Sequence, residues 1–186
     1  MSKVGVFLAD GFEEIEGLTV VDLLRRAGID TVTVSINGSK KVTGSHNIAV
    51  EADELITDTK FGELDMLVLP GGMPGTANLE NCELLMKEVD AFHKNGKYIS
   101  AICAAPGVFG RRGILEGRKA TVYPGLEGEL KGAEPQTAPT VISDHILTSR
   151  GMGTAIAFGL AIVERFQGKE KADELAKKIV YFSDVR

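Results

Sequence analysis

The residues with the strongest claim to chemistry are Tyr98-Ile99-Ser100-Ala101-Ile102-Cys103-Ala104-Ala105-Pro106-Gly107. An apolar run ends in a cysteine, two alanines, a proline and a glycine. This reads as a buried strand delivering a thiol to a tight turn, with a helix starting behind it, the arrangement of a nucleophile elbow. Small residues at 104 and 105 let the backbone turn, and Pro106 suits a first helical position, where an N–H would go unpaired anyway. A thiol at a helix start feels the positive end of the peptide dipoles, which favours thiolate, the nucleophilic form. The competing assignment for Cys103 is a small buried hydrophobe, because free cysteine is among the most buried residue types.

Two further stretches bear on that choice. Pro70-Gly71-Gly72-Met73-Pro74-Gly75 follows another apolar run, and its paired glycines let backbone N–H groups come close to a ligand. Together with the N–H of Ala104 they could form an oxyanion hole; a tight turn and nothing more is the plainer alternative. The loop lacks the lysine and the serine or threonine of a nucleotide-binding phosphate loop. Glu13, Glu14 and Glu16 open the first expected helix, where Glu13 and Glu14 fit surface carboxylates that complement the helix dipole. Glu16 shares a helical face with Val20, Leu23 and Ala27, which aims its carboxyl group at apolar packing. A buried carboxyl tends to stay protonated, and in that form it can hydrogen-bond a thiolate and shuttle protons.

These groups need a scaffold. Pattern and punctuation place strands at 3–9, 31–35, 64–69, 98–102, 120–122, 140–142 and 146–149, with a hairpin over 42–50. Helices are expected at 15–27, 81–94, from 106 onward, and at 154–166 and 169–179. Such alternation implies an α/β fold with a mostly parallel sheet covered on both faces, and functional groups beyond the carboxyl ends of its strands. The loops at 9–16, 70–75 and 103–107 leave such ends. With 186 residues the chain suits one domain over 1–186, and 44% apolar and 25% charged residues suit an ordinary soluble protein. The net charge of −5 disfavours nucleic-acid or anionic-membrane binding. No apolar run is long enough to span a bilayer, and a strand starting at Lys3 leaves no room for a signal peptide, so cytoplasmic residence is expected. Only two cysteines are present, without metal-type spacing, so neither a disulfide framework nor a structural zinc site is expected.

Four motifs stand in register: Ala9-Asp10-Gly11-Phe12-Glu13-Glu14-Ile15-Glu16, Leu69-Pro70-Gly71-Gly72, Ala101-Ile102-Cys103-Ala104-Ala105-Pro106 and Leu147-Thr148-Ser149-Arg150-Gly151. Together they resemble the ThiJ/PfpI superfamily, in particular its parkinsonism-associated deglycase branch, over nearly the whole chain. The resemblance implies a flavodoxin-like doubly wound sandwich and a homodimer. It maps the elbow nucleophile onto Cys103, its hydrogen-bonding acid onto Glu16, and the oxyanion amides onto Gly72 and Ala104. It further implies a small aldehyde substrate, a 2-oxoaldehyde such as methylglyoxal or its early glycation adducts, and no cofactor. One departure stands out: where the branch places a His-Pro pair after the next strand, this chain has Tyr123-Pro124. A phenol is a poor general base near neutrality, so Tyr123 is read as orienting or hydrogen-bonding substrate. Of the three histidines, His93 is expected to face solvent, His145 to sit in a turn between strands and His46 in the hairpin. None is placed in sequence as a cysteine–histidine peptidase or amidotransferase pair requires. Two functional classes remain: a glyoxalase or deglycase, and a redox sensor whose Cys103 is oxidised to sulfinic acid.

Overall fold

A computed structural model of the chain describes residues 2–181; residue 1 and residues 182–186, the ends of the expected domain, lie outside the described residues. The chain runs β1 (Lys3–Leu8), α1 (Glu14–Arg26), β2 (Asp30–Ser35), β3 (Lys41–Thr43), β4 (Ala49–Glu51) and β5 (Glu54–Leu55). It continues through β6 (Met66–Leu69), α2 (Gly75–Glu80), α3 (Glu83–Lys94), β7 (Tyr98–Ile102) and α4 (Pro106–Arg111). β8 (Lys119–Ala120), β9 (Glu134–Pro135), β10 (Thr140–Ser143), β11 (Ile146–Ser149), α5 (Ala155–Gln167) and α6 (Lys169–Lys178) complete it.

Seven strands form the main sheet in the order β10-β11-β7-β6-β1-β2-β5. Every pairing in it is parallel except β10 with β11. Side-chain alternation along the buried strands feeds two cores. In β1, Val4, Val6 and Leu8 pack toward α1, α5 and α6, while Phe7 packs with residues of α2, α3 and α4. In β6, Met66 and Val68 join the first layer and Leu67 and Leu69 the second. Each such side chain contributes about 1.5–3 kcal/mol by burial. The fold is thus the expected flavodoxin-like doubly wound sandwich.

Local differences have local causes. The helix expected over 81–94 begins at Glu83, because Cys82 is extended (φ −80°, ψ 95°) as it caps α3, and a further short helix, α2, precedes it where none was expected. The strand expected at 120–122 is cut to Lys119–Ala120, which pairs with β9 in a separate ribbon. The next amide, that of Thr121, goes instead to the Thr148 hydroxyl at 3.0 Å. The hairpin expected over 42–50 forms, with β3 and β4 pairing from Lys41 opposite Glu51 to Thr43 opposite Ala49.

Candidate active site

The carboxyl ends of β1, β6 and β7 are neighbours in the sheet, so the three loops singled out in the sequence converge. β7 ends at Ile102, and Cys103 takes φ +65°, the left-handed region that a side chain adopts at a cost of about 1–3 kcal/mol. Two backbone hydrogen bonds hold it there: Cys103 N–H donates to the Ser149 carbonyl (3.0 Å), and Tyr123 N–H donates to the Cys103 carbonyl (2.9 Å). Four residues on, Gly107 lies in a buried turn of α4. This is the elbow, with strain at the nucleophile position.

Glu16 is 1% exposed on the inner face of α1, as its spacing requires. Its Oε2 accepts the N–H of Gly71 at 2.9 Å. Oε1 is buried with no hydrogen-bond partner among the described residues, and the Cys103 side chain lies beside the carboxyl group. Gly71 stands between the two: a Cβ added there would fall 2.6 Å from the Cys103 Cβ and 2.6 Å from Glu16 Oε2. Its amide is therefore committed to the acid, so Gly71 positions Glu16 and does not donate to an oxyanion, contrary to the expectation for it. The amides of Gly72 and Ala104 do face the sulfur. Gly72 has φ +91° and is wedged against Gly11 and the Glu13 amide, a place closed to any side chain. Tyr123 is half-exposed with its ring edge over Gly151, and its amide bonds the Cys103 carbonyl.

Burial raises the Glu16 carboxyl to about 7, against the downward pull of the Cys103 thiol and the Gly71 amide. Burial, then the charge of Glu16 and its hydrogen bond, push the Cys103 thiol up to about 12, although the Ala104 and Gly72 amides pull it down. The pull toward thiolate expected of the helix start is thus opposed by burial and by the Glu16 carboxyl. α4 has six residues and so a weak dipole, and the sulfur is partly buried beside an acceptor. At neutral pH the resting pair is a thiol next to a carboxyl poised to take its proton.

The raised carboxyl has a stability consequence. A folded-state value above the unfolded one means that the folded state loses stability as pH climbs from about 4.5 to about 7. Glu16→Gln is expected to gain on the order of 1–3 kcal/mol over the parent at pH 8, with the gain vanishing near pH 4.5, as read by thermal or urea melts.

Glu14, expected at the surface, is instead 4% exposed. Its Oε1 accepts the His46 amide at 2.7 Å and its Oε2 meets His46 Nδ1 at 3.0 Å, which ties the β3–β4 hairpin to α1. Burial would raise this carboxyl, but hydrogen bonds from its own backbone, His46 and Ile48 hold it at about 2. Glu13, Glu14 and His46 place ligand-type atoms within 4.8 Å of one another, each already engaged within the hairpin contact. No histidine reaches Cys103 among the described residues: His46 is bound to Glu14, and His93 and His145 bind each other.

Comparison with known proteins agrees with this geometry. The profile of the DJ-1/PfpI family matches residues 2–165. The chain is 39% identical to Protein DJ-1 homolog B of Arabidopsis thaliana over 96% of its own length but only 41% of that protein, so it spans about two fifths of that relative. It is 32% identical to Glutathione-independent glyoxalase DJR-1.2 of Caenorhabditis elegans, covering 90% of this chain and 89% of that protein. The solved structure of oxidized Toxoplasma gondii DJ-1 superposes with a TM-score of 0.93 at 34% identity, over 97% of this chain and 99% of that one. An elbow cysteine, a buried acid bonded to the neighbouring Gly-Gly loop and a matching profile over nearly the whole length lead to one assignment: the chain belongs to the DJ-1/PfpI family.

Proposed function

We propose that this chain is a cofactor-independent, cysteine-dependent glyoxalase. It converts methylglyoxal-type 2-oxoaldehydes, or their early glycation adducts in a deglycase reaction, to 2-hydroxy acids. The observation that carries this reading is the buried carboxyl of Glu16, held by the Gly71 amide beside Cys103. Burial raises that carboxyl to about 7, and a base with that value works best near neutral pH. The sulfur attacks the aldehyde carbon as its proton passes to Glu16, and the developing oxyanion is met by the amides of Gly72 and Ala104. Glu16 passes that proton to the oxyanion, which completes the hemithioacetal, and then, as a base again, moves the C1 proton to C2 through an enediol, leaving a 2-hydroxyacyl thioester. Water then releases the acid and restores the thiol. Tyr123, whose amide bonds the Cys103 carbonyl, orients the second oxygen. The 32% identical nematode relative, which carries the name glyoxalase, supports this class of reaction.

The base role fixes a pH profile. Below about 7 the Glu16 carboxyl is protonated and accepts nothing, so kcat/KM for methylglyoxal is expected to fall about tenfold per pH unit on the acid side and level off above it. A flat profile across the neutral range would remove Glu16 from the role.

A second reading is carried by the same partly exposed sulfur: Cys103 as a redox sensor, its sulfinate held by protonated Glu16 and the two amides. Peroxide titration followed by intact mass separates the two. Gain of two oxygens on Cys103 in a protein without methylglyoxal turnover favours the sensor.

The homodimer also belongs here as a proposal. Ile15 and Ile156 are exposed large apolar residues on α1 and α5, and Ile48 is exposed on the hairpin that Glu14 ties to α1. Leu18, Thr19, Asp22 and Ile156 line one shared surface. A second copy of the chain would cover this face. Ile15→Asp with Ile156→Asp is expected to shift the species seen by light scattering from dimer to monomer.

A further inference from the structure

We infer that His93 and His145 form a chelating pair for a late first-row divalent cation at the amino end of β7, apart from the Cys103 site. His93 lies in the last turn of α3, and His145 in the two-residue turn between β10 and β11. Their facing atoms, His93 Nδ1 and His145 Nε2, are 3.0 Å apart. These atoms share a hydrogen bond, so one carries a proton that a cation would displace, and their spacing is close to the about 2.9 Å between two imidazole nitrogens bound at about 2.0–2.1 Å in adjacent positions of a tetragonal copper(II) or nickel(II) site. The rings stack with centroids 5.1 Å apart.

The surroundings preorganise this pair. The His145 side chain is only 12% exposed, and its Nδ1 stands 3.6 Å from Asp144 Oδ2. That carboxylate is itself fixed by Arg118 at 3.2 Å. At that separation the carboxylate is an electrostatic neighbour of the ring and not its hydrogen-bond partner, and it favours a proton on Nδ1 with the lone pair on Nε2. The turn is equally fixed: Asp144 has φ +63°, and the His145 carbonyl accepts the Ile99 amide at 3.1 Å. Burial, His145 and Arg118 lower the pKa of His93, so its imidazole is neutral and able to donate at pH 7. Beside it an open cleft lined by Asp90, His93, Arg112 and Gly113 leaves room for water to complete the coordination shell. Asp90 is engaged with Arg112, so the two histidines are the committed ligands. The pair sits at the opposite end of β7 from Cys103, about 16 Å away along a five-residue strand.

Calorimetric titration of the full chain with nickel(II), alongside NMR of the histidine ring signals, tests this. One ion per chain is expected, with the His93 and His145 signals broadened first and that of His46 spared. His93→Ala and, separately, His145→Gln are expected to weaken binding at least about tenfold, whereas His46→Ala leaves it unchanged. Lowering the pH through the imidazole range should release the ion. His93 is on a partly exposed helix face, so His93→Ala keeps the fold, which a circular dichroism melt checks. No heat of binding, binding unaltered by His93→Ala, or binding abolished by His46→Ala would each overturn the assignment. None of these readouts depends on the activity assigned to Cys103.

Discussion

Glu16→Gln is expected to cut methylglyoxal turnover by about 10²–10⁴-fold while making Cys103 more reactive toward iodoacetamide at neutral pH. The two effects oppose each other for one reason. Burial is the largest cause that pushes the thiol up to about 12, followed by the charge of Glu16 and its hydrogen bond. A glutamine keeps the shape and removes the charge, and its amide can donate to a thiolate. The thiol pKa therefore falls, and the thiolate fraction at pH 7 rises about tenfold for each unit of that fall. Alkylation speeds up by somewhat less, because nucleophilicity declines with basicity. Turnover fails nonetheless, since no group remains to take the thiol proton and move the C1 proton. Parallel loss of alkylation and turnover would mean that Glu16 activates the sulfur by promoting its ionisation. The base role argued above would then be wrong.

That outcome bears on how much the sequence alone could say. The elbow, the Gly-Gly loop and the inward face of Glu16 were legible because each is a local pattern: an apolar run closed by small residues, paired glycines, a helical spacing. Their convergence followed from the parallel order of β1, β6 and β7. The charge state of Cys103 was not legible. It depends on how far the sulfur is removed from water and on an acceptor 87 positions earlier in the chain, neither of which a strand–turn–helix pattern encodes. The same limit explains Glu14, whose burial is made by a hairpin more than 30 residues away. It explains the His93–His145 pair as well, joined across 52 positions where the sequence suggested a solvent-facing side chain and a turn residue. Paired glycines invite an oxyanion role for the Gly71 amide, yet a buried carboxyl nearby claims its N–H first.

Gly71→Ala isolates the contact on which the mechanism rests. Gly71 does not share the positive φ of Gly72, so alanine is compatible with its backbone and the effect of the substitution is steric. The added methyl would fall 2.6 Å from Glu16 Oε2, 2.6 Å from the Cys103 Cβ and 3.0 Å from the Ile102 carbonyl. Since Ile102 is buried strand backbone, the acid and the thiol must give way. Overpacking of this kind costs about 1–3 kcal/mol, so the protein should remain folded with a lowered melting temperature. Separating thiol from base by even one ångström is expected to cost about 10²-fold in kcat, because proton transfer needs hydrogen-bond reach. Gly38→Ala, where the methyl meets nothing within 4 Å, serves as the control and should match the parent in both measurements. If Gly71→Ala keeps full turnover despite a measurably lowered melting temperature, Glu16 and Cys103 need not touch for the chemistry, and catalysis would have to be assigned to the sulfur and the two amides without a neighbouring base.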